Sequence, residues 1–159
     1  MNPTPALEPF VRQKTVLLTT YRRDGTPVGT PVHLAVDGDR AFVRTFDTAW
    51  KLKRIRNNPE IEVAPSTVRG KPTGPAIRAR ARLLSGDGSV YAGQAIARKY
   101  PILQGFLVPL AHRLRGNKTM HIELTPLRAS SGNYGRGRWG EAFHTARTSL
   151  RSMMRVIAP

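Results

Sequence analysis

From residue 15 to residue 46 the chain takes on the pattern of β-strands, runs of β-forming residues broken twice by turn residues. Val16-Leu17-Leu18-Thr19-Thr20-Tyr21 predicts a first strand, because it is rich in β-formers. Asp24-Gly25 supplies a hairpin turn. Val28 to Val36 predicts a second strand, interrupted by Pro31, which cannot donate to a ladder and so belongs at an edge or a bulge. Asp37-Gly38-Asp39 is the next turn, and Arg40 to Phe46 the third strand. The period then changes. Leu52 and Ile55, three residues apart, mark the apolar stripe of a helix over 48–58 that Pro59 stops. Asp47 or Thr48 is the expected cap, accepting a bond from a free backbone N–H.

Beyond Pro59, Glu60 to Ala64 alternates as a strand, with Glu60 and Glu62 on one face as at a solvated edge. Val68 to Pro75 is a glycine- and proline-rich loop. In Ile77 to Leu84 the alternation is strict: Arg78, Arg80 and Arg82 face one way, as on a solvated sheet face, and Ile77, Ala79, Ala81 and Leu83 the other. Gly86-Asp87-Gly88 breaks the chain before a helix from about Ser89 to Tyr100, and a second, proline-containing helix follows to about Arg115. Lys118 to Leu124 is the last strand, with Met120, Ile122 and Leu124 on its apolar face. Strands joined by hairpins, with helices inserted late and no repeated βαβ unit, predict an α+β fold, mainly β: an antiparallel sheet of six or so strands curled on itself. One domain is expected over 1–128. A shift into Ser, Gly and Arg marks a basic C-terminal extension, 129–159, that is not a separate domain.

Composition narrows the chemistry. With 159 residues the chain suits one domain. It has no cysteine, which excludes disulfides, thiol nucleophiles and cysteine-ligated metals. No apolar run reaches the length of a membrane span, and the N-terminus is unlike a secretory signal, so a cytoplasmic location is the default expectation. The net charge of +16 calls for an anionic partner: nucleic acid, an anionic membrane or a multiply charged small molecule. Residues 143–157 form a basic amphipathic pattern suited to peripheral membrane contact, or to docking on the protein itself or across a dimer.

Self-contained catalytic sets are missing. His33, His112, His121 and His144 lack metal-ligand spacing, so no metal is expected. Most aspartates sit in glycine turns, and no G-x-S-x-G elbow exists. Gly135 to Gly140 fits G-x-G-x-x-G in letters only, since the acidic residue about 20 positions later is absent. An enzyme built on this chain would take its hard chemistry from a cofactor. One stretch points to where. Lys51, Lys53 and Arg54 crowd the first turns of the helix, where the dipole is already positive and cations are disfavoured. Helix N-termini favour phosphate, so a phosphate-bearing ligand is one reading; a solvated basic face is the other.

The order of several short motifs resembles the split β-barrel flavin and deazaflavin oxidoreductases related to pyridoxamine 5′-phosphate oxidase, in particular their F420-dependent branch. The residues that carry it are Leu18 to Gly25, Gly29-Thr30-Pro31-Val32, Arg44-Thr45, Lys51 to Pro59 and Gly70 to Pro75. The resemblance implies a split barrel with peripheral helices, a homodimer, and a cofactor in grooves at the subunit interface. It implies that Thr30, Pro31 and Val32 present backbone to the edge of the deazaflavin ring, and that Thr45, Lys51, Lys53 and Arg54 hold the phosphate. The implied reaction is hydride transfer from reduced coenzyme F420 to an unsaturated organic substrate. His33 stands where relatives often carry an aromatic residue; it is a candidate proton donor or a space-filling equivalent. The alternatives are an FMN-binding split-barrel oxidoreductase or a basic nucleic-acid-binding module.

Overall fold

The structure is a computed structural model and describes residues 2–101 and 118–127. The second, proline-containing helix expected before Arg115, the 129–159 extension with its 143–157 pattern, and the Gly135–Gly140 motif all lie outside the described residues. Six strands, β1 (Thr15–Tyr21), β2 (Pro27–Asp37), β3 (Arg40–Phe46), β4 (Glu60–Pro65), β5 (Ile77–Leu84) and β6 (Thr119–Pro126), form a closed antiparallel barrel in the order β1-β2-β3-β6-β5-β4. Two α-helices, α1 (Trp50–Asn57) and α2 (Gly86–Lys99), are inserted between strands, and a 3-10 turn, Glu8–Phe10, precedes β1.

The hairpins form where the turn residues place them. Gly25 and Gly38 adopt φ of +82° and +62°, conformations costly for residues with a Cβ. Around Gly25, Arg22 N–H bonds Thr26 O at 2.9 Å and Thr26 N–H bonds the Asp24 carboxylate at 2.9 Å. Closure corrects one expectation. β4 is no edge: it pairs with β1 through Leu17↔Ala64 and with β5 through Ile61↔Ala79. Glu60 faces water because it is on the outer wall, where Arg78 bonds it at 2.7 Å.

Alternation sorts the side chains into two layers. Val16, Leu18, Leu34, Ala41, Val43, Ile61, Val63, Ile122 and Leu124 fill the barrel interior. Arg78, Arg80 and Arg82 stand outside, as their register predicts. A second, smaller layer lies between α2 and the outer wall, where Ala92, Ala95 and Ile96 cover Ala35, Phe42 and Leu84. That packing draws the helix back to Gly86, through the glycines expected to break the chain. No helix among the described residues is long and apolar enough to cross a membrane.

Two features position the site. First, β2 and β3 pair only from Leu34↔Val43 to Asp37↔Arg40, whereas residues 27–33 of β2 pair with β1 alone. β3 pairs with β6 from Ala41 to Phe46, so its end, Arg44 to Phe46, keeps β6 alone. The barrel is therefore split between the first half of β2 and the end of β3, and Pro31 lies on that unpaired stretch. Second, α1 packs against β1 and β5 and contributes Leu52 and Ile55 to the barrel core. Burying such a side chain stabilises by about 1.5–3 kcal/mol.

Candidate phosphate site at the barrel rim

Thr20 and Thr45 occupy inward positions near the ends of their strands. Thr20 continues the series Val16, Leu18; Thr45 continues Ala41, Val43. Both are buried, so their hydroxyls need partners. Helix α1 supplies them. Lys51 donates from Nζ to Thr45 Oγ1 at 3.1 Å, and Arg54 donates from Nε to Thr20 Oγ1 at 2.7 Å. Positions three apart share one flank of a helix, so Lys51 and Arg54 line the rim while Leu52 and Ile55 point into the core.

The electrostatics are one-sided. Burial, with Arg54 nearby, pulls the Lys51 ammonium below the ordinary lysine range. Burial, with Arg22 nearby, lowers Arg54 likewise. The carboxylates do not help. Among the described residues, the ion pairs join Arg40 to Asp39 and Glu123, Arg78 to Glu60, and Arg82 to Glu123; none includes Lys51 or Arg54. Cations held partly out of water beside another cation carry a desolvation cost that an anion would offset. The donors match a phosphate: a guanidinium with N–H groups to spare and an ammonium with two further protons.

The helix start differs from the expectation. Ala49 is the N-cap, without a side-chain cap bond, and α1 begins at Trp50. Asp47 and Thr48 belong instead to a preceding turn, in which Ala49 N–H bonds Phe46 O and Asp47 N–H is taken by Lys118 O. The remaining sequence-derived residues are placed unevenly. Lys53 is exposed, and its ammonium lies 5.5 Å from the centre of the Trp50 ring, itself 72% exposed. Lys53 thus stands outside the threonine-anchored pair. Thr30 and Val32 lie on the inward face of β2, opposite Leu18 and Val16, on the stretch that β3 leaves unpaired; Pro31 faces outward and is exposed. His33 is on the outer face, where Nδ1 lies 3.0 Å from Lys14 O and the ring is tilted against Tyr100 at 5.3 Å. The structure does not bring it to Lys51 and Arg54.

Sequence reasoning missed Thr20 and Arg22. A signal existed for Thr20, a polar residue on the inward register of an otherwise apolar strand. A separate shallow depression of about 340 Å³ on the outer wall is lined by Tyr21, Gly25, Asn58, Glu60, Ile61, Glu62 and Arg78. Its polar groups already satisfy one another: Arg78 bonds Glu60 and Glu60 N–H bonds Asn58. Burial and Glu62 together push the Tyr21 hydroxyl up to about 12. It offers a ligand less than the rim does.

No family model matches the chain, and no curated protein does. Solved structures do. The chain is similar to a provisionally described 5-nitroimidazole antibiotic resistance protein from Bacteroides thetaiotaomicron, with a TM-score of 0.58, 11% identity and coverage of 79% of this chain and 81% of that one. It is similar to HutZ, the heme storage protein of Vibrio cholerae, with a TM-score of 0.58, 16% identity and coverage of 81% and 93%. It is also similar to a provisionally described pyridoxamine 5′-phosphate oxidase from Listeria innocua, with a TM-score of 0.51, 17% identity and coverage of 72% and 85%. At these identities the likeness establishes the architecture alone: the chain shares with these structures the fold of a six-stranded antiparallel split β-barrel.

Proposed function

We propose that this chain is a split-barrel oxidoreductase that holds a phosphate-bearing, flavin-type cofactor at the barrel rim. The cofactor in this reading is coenzyme F420, and the acceptor is an unsaturated organic compound. The observation that carries the proposal is the pair of half-buried cations, Lys51 and Arg54, fixed on threonine hydroxyls and without a carboxylate among the described residues. The motif order described above supports the deazaflavin class, and the fold likeness to a pyridoxamine 5′-phosphate oxidase supports redox chemistry.

When bound, the reduced ring supplies the hydride. The chain binds and orients. Lys51 and Arg54 take the phosphate, and Thr45 and Thr20 hold those two side chains in place so that less freedom is lost on binding. The backbone of Thr30, Pro31 and Val32, on the unpaired stretch of β2, meets the ring edge. Lys53 contributes charge from outside. Leu52 and Ile55 keep water out of the barrel end beneath the site. His33 stays a structural residue, bonded to Lys14 O and packed on Tyr100. The chain acts as a homodimer in this reading, with the split of one barrel completed by its partner.

Titration of the full chain with F420, followed by the coenzyme's fluorescence, tests the cofactor; FMN and hemin are run in parallel. F420 should saturate at micromolar concentrations, ahead of both. FMN binding in its place would move the reaction to a flavin and retain the phosphate site. Hemin alone, or no binding of any, would remove the proposal.

A further inference from the structure

The connection between β4 and β5, residues 66–76, is a rigid hairpin. Gly70 N–H bonds Thr67 O at 2.9 Å, Thr67 N–H bonds Lys71 O at 2.9 Å, and Lys71 N–H bonds the Thr67 hydroxyl at 3.1 Å. A Ser66–Pro72 bridge and Thr73 N–H to Pro65 O at 2.8 Å close its base. Its position follows from strand order. β4 lies beside β1, and β1 beside β2. The hairpin crosses the outer face of β1 over Leu17 and reaches β2: a Cβ built on Gly70 would stand 3.5 Å from Leu17 Cδ1 and 3.6 Å from Pro31 Cδ. Its tip therefore rests against the stretch of β2 that β3 leaves unpaired.

The tip is chemically distinctive. Val68 is 76% exposed, an apolar side chain at a turn where polar residues are the rule. Arg69 follows it directly and Lys71 comes two residues later, both exposed and both outside the ion pairs of the described residues. A fixed turn whose Gly70 abuts Pro31 thus carries one apolar and two cationic side chains. Resting on the reading that the ring edge meets Thr30 to Val32, we propose that Val68, Arg69 and Lys71 are the specificity-determining wall for the acceptor, and that they select organic anions: an apolar, unsaturated body carrying a carboxylate. Arg69 suits a carboxylate because its planar fork donates two parallel bonds. Val68 covers apolar surface that the carboxylate leaves behind.

The test uses the full chain saturated with oxidised F420 and two probes of one shape, cinnamate and cinnamamide, with affinities measured by calorimetry. Cinnamate should bind at least about tenfold tighter than the amide. Arg69→Gln with Lys71→Gln should abolish that preference, Val68→Ser should weaken both probes alike, and F420 affinity should be unchanged in every variant. Arg12→Gln with Arg80→Gln removes equal charge elsewhere on the surface and should keep the preference. Equal binding of acid and amide by the native chain overturns the inference, as does an equal loss in the Arg12/Arg80 variant, which would make the preference a property of the overall positive field. Failure of F420 to saturate the chain is seen first in the direct titration and removes both readings; saturation without acid preference removes this one alone.

Discussion

Replacing Lys51 with methionine separates a ligand-binding cation from a structural one. The substitution keeps the length of the side chain and removes its charge. A charge-assisted bond to phosphate contributes about 1.5–3 kcal/mol, so the affinity for F420 should fall about 10- to 150-fold. Stability should behave differently. The Lys51–Thr45 bond of 3.1 Å, whose donor is charged, is lost at a cost of about 1.5–3 kcal/mol. Against that, a partly desolvated ammonium beside Arg54 disappears, which relieves a cost of the opposite sign. The two terms nearly cancel, so the melting temperature of the free protein should move by less than roughly 4 °C. The pH dependence adds a signature. The folded protein lowers the Lys51 pKa below its unfolded value, so between the two values the folded chain binds fewer protons. The cost of the charge is present below the folded value and is relieved as pH rises through it. Phosphate needs the ammonium, so F420 affinity should decline over that same alkaline interval, and Lys51→Met should lack the decline. Fluorescence titration across pH with differential scanning fluorimetry reads all three quantities. Unchanged affinity, or a melting point many degrees lower, would show that Lys51 serves the fold and not a ligand.

Three further predictions concern the frame around the site. Glu123 is a buried carboxylate that takes Arg82 at 2.9 Å and Arg40 at 3.1 Å across β5, β6 and β3. Glu123→Ala should cost about 1–3 kcal/mol in chemical denaturation, less than a fully buried pair would, because both arginines can turn to water; no change would mean the clamp contributes nothing. His121 is buried with its Nδ1 2.7 Å from Ser89 Oγ, and burial, then Arg44, lowers its pKa. The unfolded chain therefore takes up the proton first, so stability should drop as pH falls from the ordinary histidine range through the lowered value, and His121→Leu should flatten that part of the pH profile measured by thermal melts. Gly70 has φ +81°, so Gly70→Ala should destabilise by about 1–2 kcal/mol; a neutral result would refute the rigid turn.

Much of the barrel is legible in one dimension because its signals are local. Asp24-Gly25 and Asp37-Gly38 set the turns, alternation sets which residues of β3, β5 and β6 turn toward the barrel interior, and both are properties of neighbouring residues. Half of the site is legible for the same reason: Lys51 and Arg54 are conspicuous as cations in early helix turns. The other half is not. Thr20 is 34 residues from Arg54, and only the docking of α1 on β1 brings them to 2.7 Å. Closure of the barrel is equally non-local, and so the solvated-edge reading of Glu60 and Glu62 failed: no single strand reports whether the sheet ends or meets itself. The cap was misread because Asp47 N–H is taken by Lys118 O, a residue of the strand approach on the far side of the sequence.

Pro31 links the two halves. Its missing N–H is a local fact that predicts an edge or a bulge. In a closed barrel no strand is an edge along its whole length, so the demand is met by splitting one pairing. β2 pairs with β1 over Pro27 to His33 and with β3 only from Leu34 onward. The divergence leaves the inward positions Thr30, on β2, and Thr45, on β3, at the mouth of the barrel and no longer stacked within it. Polar residues can then occupy the inward register without an apolar neighbour closing over them, and α1 can reach the mouth with Lys51 while its leucine and isoleucine still enter the core. The candidate site at this rim thus follows from how the barrel accommodates one proline. The cations tolerate their position because each is held by the hydroxyl of a buried threonine, Lys51 by Thr45 and Arg54 by Thr20, and each has donors left over.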